Sequence, residues 1–175
     1  MREAAVPGYR LSKARGSTKV LITLGLIGLL LGLLGAAAVT IAKTGFSPEK
    51  VRGYYLGTDE GDGVLSLTTA STARPFAELA EITHFHLVGG SMLLFFLCHL
   101  LSLCDIRDFF RTILYLVSFL SFLTTFSLPW LIIYCNPIFS WGFGPAVSIF
   151  ILSLVLVSII PLKDMWCPSK VKSDG

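Results

Sequence analysis

The sequence predicts an all-α integral membrane protein, a four-helix bundle with a short interfacial helix in its first outer loop. Of 175 residues, 54% are hydrophobic and only 14% charged, with a mean hydropathy of +0.76. Soluble domains carry about 25% charged residues, so the deficit points to lipid as the solvent. Four apolar stretches, Val20–Ala42, Phe76–Leu103, Phe109–Ile133 and Phe143–Leu162, are each long enough to cross about 30 Å of hydrocarbon as a helix. Helices are expected because a lone β-span would leave its backbone polar groups unpaired in lipid. The chain therefore divides into a basic segment (1–19), a membrane domain (20–162, with a loop at 43–74) and a short tail (163–175).

The first segment carries Arg2, Arg10, Lys13, Arg15 and Lys19 against the single acid Glu3. Basic groups also flank the second connection (Arg107, Arg111) and the last span (Lys163, Lys170, Lys172). By the positive-inside rule both termini are expected in the cytoplasm. The apolar run of the first span exceeds the 7–15 residues or so of a signal core. It is read as a retained span, although Ala36, Ala37 and Ala38 leave a cleavage site open. Within it, Gly25, Gly28, Gly32 and Gly35 recur at helical steps, and Gly28 with Gly32 forms a GxxxG pair. Such spacing lets two backbones approach closely. The partner is either another helix of this chain, the slightly favoured reading, or a second subunit.

In the first loop, Ser47, Pro48 and Glu49 form a helix start, with a Ser cap, Pro at the first position and an acid in the first turn. A short helix through Tyr54 and Tyr55 is expected at the interface, where Tyr is favoured. The following GTDEGDG run reads as a solvated turn, because its acids lack the spacing of an EF-hand loop. Pro129 is expected to kink or end the third span. Cys98, Cys104, Cys135 and Cys167 show no CxxC or CxxCH pattern, which argues against covalent haem and thiolate zinc.

All three histidines, His84, His86 and His99, fall in the second span, together with Glu78 and Glu81 at its start. At about 100° per residue, His84 and His99 share one side of the helix and His86 points about 200° away from His84. The His84 side carries Glu81, Val88, Ser91, Met92, Phe95, Cys98 and His99, and the His86 side carries Leu79, Ile82, Gly89, Gly90, Leu93 and Leu97. Two chemistries use such a pattern. His84 and His99, about 22 Å apart along the axis, suit two haems stacked across a bilayer, and Gly89 and Gly90 leave room for a macrocycle at His86. Alternatively, Glu81 and His84 stand at i, i+3, as in di-metal carboxylate bundles, and His86 completes a non-haem metal set. Against both stands the interfacial position of Glu81, His84 and His86, where water can solvate them without a ligand. The other spans contain no His and no Met, so bis-His haem within one chain is excluded and a second copy or partner is required.

The segments FSPEKVRGYYLG, FAELAEITHFHL, LPWLIIYCNPIFSW and PLKDMW together resemble a group of small four-span bacterial membrane proteins built around a THxHL-type second helix. The resemblance covers most of residues 46–166 and brings no activity with it. It implies four helices, the bacterial cytoplasmic (inner) membrane, a role for His84 and His86, and the company of electron-transfer cytochromes. The functional expectation is a membrane protein that binds haem b or a transition metal and serves electron transfer, with quinol as donor. Glu81 is expected to orient a ligand or take a quinol proton. A homodimer or a larger redox complex is the expected assembly, and nucleic acid is not an expected partner. The alternatives are a non-catalytic scaffold subunit of a membrane complex and a metal-dependent membrane enzyme.

Overall fold

A computed structural model describes residues 10–57 and 73–167. Five α-helices follow in order: α1 (Gly16–Thr44), α2 (Pro48–Leu56), α3 (Phe76–Ser102), α4 (Asp108–Tyr134) and α5 (Ser140–Trp166). Four of them, α1, α3, α4 and α5, are long and apolar enough to cross a membrane. The expected all-α membrane bundle is the observed architecture. The first and last spans are longer than the hydropathy run suggested, because polar residues at their ends continue the helical hydrogen bonding.

α4 and α5 form the centre of the bundle, and α3 packs against both. Their shared core holds Leu94, Leu97 and Leu101 of α3, Phe122 of α4, and Leu154 and Val157 of α5. Lipid tails are as apolar as these side chains, so close packing rather than exclusion of water holds the spans together. Gly90 shows how close the approach is: a Cβ there would lie 2.5 Å from the Phe122 ring. Pro129 neither ends α4 nor faces lipid; the helix runs on to Tyr134 and Pro129 is buried.

α1 is the loosest span, with only Leu26 and Thr44 buried. It is tied down at its two ends. Near its start, Lys19 Nζ donates to Met165 O (2.8 Å) and Trp166 Nε1 donates to Thr23 Oγ1 (3.0 Å). Residues 10–15 before it dock on the bundle: a single 3₁₀ turn, Leu11–Lys13, buries Leu11 against the end of α3, where Leu11 N donates to Leu103 O (3.1 Å). Arg10 adds an ion pair with Asp105. At the far end, Gly45 takes the left-handed conformation (φ 55°), and its N–H bonds Ile41 O, a glycine stop of the usual kind.

The reversal at Gly45 and Phe46 launches α2, whose Ser47 side chain caps Lys50 N with Pro48 at the first position, as the sequence indicated. α2 does more than rest at an interface. Val51 is fully buried among Leu128, Ile132, Phe143 and Val147, so the helix lies across the ends of α4 and α5 as a roof. The chain returns to α3 through Arg74, whose backbone N–H bonds Tyr55 O and whose side-chain Nε bonds Tyr54 O. The acidic run 58–63 lies outside the described residues.

The glycines of α1 do not meet another helix of this chain. A Cβ added at Gly25, Gly28, Gly32 or Gly35 would touch nothing within 4 Å. The intrachain contact favoured from the sequence is therefore absent, since α1 turns this row outward and meets α5 with its other face.

Candidate functional site

α3 sorts the histidines. Its inward side follows Leu79, Thr83, His86, Gly90 and Leu94, spaced three or four residues apart, so His86 turns toward α4 although it is itself exposed, and His84 and His99 are exposed on the other side. His84 meets only Phe85 edge-on, and His99 lies parallel to Phe95 at 6.4 Å. Glu81 is exposed as well.

His86 lies on the wall of a cavity of 420 Å³. α1 contributes Leu33, Ala36, Ala37, Val39 and Thr40, with Lys43 and Thr44 above them. α4 and α5 provide the rear wall through Thr125, Phe126, Pro129, Phe143, Val147 and Phe150. α2 covers one end with Tyr54 and Tyr55, beside Arg74. The wall is therefore graded, with hydroxyls and cations at the α2 end and apolar side chains below.

The imidazole of His86 has one nitrogen committed. Its Nδ1 lies 2.7 Å from Ile82 O, and a carbonyl only accepts, so Nδ1 carries the proton. In the neutral ring Nε2 then keeps a lone pair, the state in which imidazole ligates a metal or accepts a proton. The ring is stacked on Phe126, with centroids 4.7 Å apart, which fixes its plane. One turn earlier on the same face, Thr83 Oγ1 accepts a hydrogen bond from Trp130 Nε1 (2.9 Å). Its own O–H is left to donate. A donor and an acceptor thus stand one helical turn apart on the cavity wall.

Part of the charge at the α2 end is internally balanced. Arg74 is paired with Glu78, and its guanidinium lies 4.0 Å above the Tyr54 ring. Burial pushes the Tyr55 phenol well above its usual range, Tyr54 adds to the rise, and Arg74 opposes it. Tyr55 consequently stays protonated and offers an O–H. No carboxylate appears among the described residues that line the cavity.

The structure separates residues that the sequence grouped. Glu81 and His84 face outward and His86 inward, and among the described residues no three His, Cys, Asp or Glu side chains converge. The set Glu81, His84 and His86 is thus not gathered within one chain. Gly89 has open space around it, whereas the space beside Gly90 is filled by Phe122, so Gly90 serves helix packing and leaves no seat for a macrocycle. A single imidazole lines the cavity, enough for one axial position of a haem and no more. Thr83, Phe126, Trp130 and Arg74 entered only with the structure. Thr83 alone had a signal, its i, i+3 spacing to His86 in THFHL.

Four spanning helices around an internal cavity define a multi-pass membrane protein housed in a lipid bilayer. The chain belongs to the Aq_1264_TM family, a transmembrane helical domain, matched over residues 45–172. That match takes in α2 to α5 and leaves α1 outside. No curated protein and no solved structure matches the chain.

Proposed function

We propose that the protein is a membrane electron-transfer protein that takes a quinol-type ring into its cavity, with His86 accepting the ring hydroxyl's proton. The observation that carries this reading is the committed Nδ1 of His86 on the cavity wall, which leaves Nε2 as a lone-pair acceptor. Thr83 supplies the complementary donor. A hydroquinone needs an acceptor for its O–H, and the quinone that it becomes needs a donor for its carbonyl. Both stand on one face of α3. Glu81, on the opposite surface, is not placed to take that proton.

The electrons need an acceptor, and haem b is the proposed one. His84 and His99 face outward, and Gly89, between them in sequence, is exposed with nothing within 4 Å of an added Cβ. In a dimer with its axis along the membrane normal each His meets its twin at one depth, which supplies the second axial ligand this chain lacks. A non-haem metal shared by Glu81 and His84 of two copies is the alternative cofactor. We place the protein in the bacterial cytoplasmic membrane with both termini inside, because Lys13, Arg15, Lys19, Arg107, Arg111 and Lys163 collect at one end of the bundle.

The outward glycine row of α1 favours a second reading, an accessory subunit docked on a larger complex through Gly25, Gly28, Gly32 and Gly35. Visible spectroscopy and metal analysis of the purified protein, with a quinone titration, separate the two. A Soret band and saturable quinone binding lost in His86→Ala support electron transfer. A colourless, metal-free protein that binds no quinone overturns it and leaves the accessory subunit.

A further inference from the structure

The cavity is closed at the rear and at one end, and it is open on one side. α4 and α5 shut the rear, and α2 covers one end with Tyr55 and the buried Val51. The remaining side lies between α1 and α3. There the lining residues Ala36, Val39, Ile82 and His86 are also exposed on the outer surface, Val39 by 52% and Ile82 by 39%. A side chain that lines a cavity and is exposed outside marks its mouth.

We infer that this mouth admits a long-chain amphiphile sideways from the bilayer, its neutral polar head resting at His86 and Thr83 and its chain running out between α1 and α3. The identity of the head rests on the proposed quinol reading; the lateral route and the chain do not. The mouth opens within the length of two spanning helices, so hydrocarbon rather than water lies outside it. Its rim is apolar on both sides, with Leu33, Ala36, Ala37 and Val39 opposite Ile82. A water-soluble ligand would have to cross that rim or displace α2.

α1 is built as the movable wall. It is fastened near its start by Lys19, Thr23 and Leu26 and at its end by Thr44, with no buried residue from Ile27 to Lys43. At the mouth it presents alanines between the larger Leu33 and Val39, so Ala36 and Ala37 set the aperture.

The test uses the full chain in lipid nanodiscs and reads quenching of Trp130, which touches the site through Thr83, by a decyl-tailed benzoquinone and by tailless benzoquinone. Ligand is expressed per lipid so that partitioning cancels, and quenching that disappears in Trp130→Phe is assigned to the site. Per lipid, the tailed quinone is expected to bind at least as tightly as the tailless one, because its chain stays in hydrocarbon at the mouth. Ala37→Phe and the milder Ala36→Leu are each expected to weaken binding of the tailed quinone by about tenfold, the effect of overfilling the aperture, with helical content unchanged by circular dichroism. Ala38→Phe, off the cavity wall, leaves binding as it was. A tailed quinone bound markedly more weakly per lipid than the tailless one, or Ala36 and Ala37 variants without effect while His86→Ala abolishes binding, overturns the lateral route and leaves the ring site standing. Absence of binding by either quinone overturns both.

Discussion

The Phe122 ring of α4 occupies the space that a side chain on Gly90 of α3 would need, 2.5 Å from the Cβ position. Both groups are in the bundle core, and Phe122 is held by Phe126 and Phe150 on its other sides. Gly90→Ala is therefore expected to destabilise the bundle by about 1–3 kcal/mol, the usual cost of overpacking. Gly89→Ala, beside open space, should change stability little. Unfolding in mixed detergent micelles measures both, and Phe122→Leu should restore part of the loss in Gly90→Ala. Equal effects at the two glycines would remove the packing argument.

The two glycines also mark how far the sequence could be read. Hydropathy located every span, and the Ser47, Pro48, Glu49 start located α2, because these signals are local. Helical periodicity placed Gly89 and Gly90 with His86 and put His84 on the other side; in the structure Gly90 follows His86 toward α4 while Gly89 is exposed. It could not say which side met α4, nor that one glycine would be filled and its neighbour left open. That depends on the ring of Phe122, more than thirty residues later. The cavity was illegible for the same reason, since its walls come from five helices. The docking of Leu11 was hidden too, because a lone apolar residue in a basic segment has no period.

Thr83 and Trp130 join α3 to α4 by one side-chain hydrogen bond of 2.9 Å. Thr83→Val keeps the shape and removes the acceptor, so the indole N–H loses its partner. A loss of about 1 kcal/mol is expected, with a change in Trp130 emission relative to a Trp130→Phe control. Thr83→Ser should retain the bond and most of the stability. An unchanged spectrum and stability in Thr83→Val would show that the bond carries no weight.

Cys104 lies in the α3–α4 connection and is buried, while Cys135 and Cys167 are exposed. Burial, reinforced by nearby Asp164 and opposed by Arg111, pushes the Cys104 thiol from 9.0 to about 12. Its folded value is the raised one, so its contribution to stability is intact below about pH 9 and is lost as pH climbs through 9 toward 12. Maleimide at pH 7–8 should modify Cys135 and Cys167 rapidly and Cys104 only after denaturation. Rapid modification of Cys104 in the folded protein would contradict its burial.

The same two exposed thiols report orientation, because Cys135 follows α4 and Cys167 follows α5 at opposite ends of the bundle. With both termini inside, an impermeant maleimide applied to intact cells should label Cys135 and not Cys167. A Gly61→Cys variant should label from the outside as well. Labelling of Cys167 alone from outside would invert the assignment.

The three histidines should separate in one experiment, since α3 sends them to different surroundings. His86→Ala is expected to abolish quinone binding, because no other described imidazole lines the cavity, and to leave any haem spectrum unchanged. His84→Ala and His99→Ala should leave quinone binding intact and each remove or convert a haem signal, as both face outward toward the proposed second copy. The haem effect should track assembly. Gly89→Leu, which adds a side chain at an exposed position lying between the two histidines in sequence, should weaken haem retention and dimerisation together. Size-exclusion chromatography with detection at the Soret wavelength reads both at once. Low-spin bis-His haem in a monomeric, partner-free preparation would break the argument, because every histidine of the chain lies on α3 and none can face another across one iron.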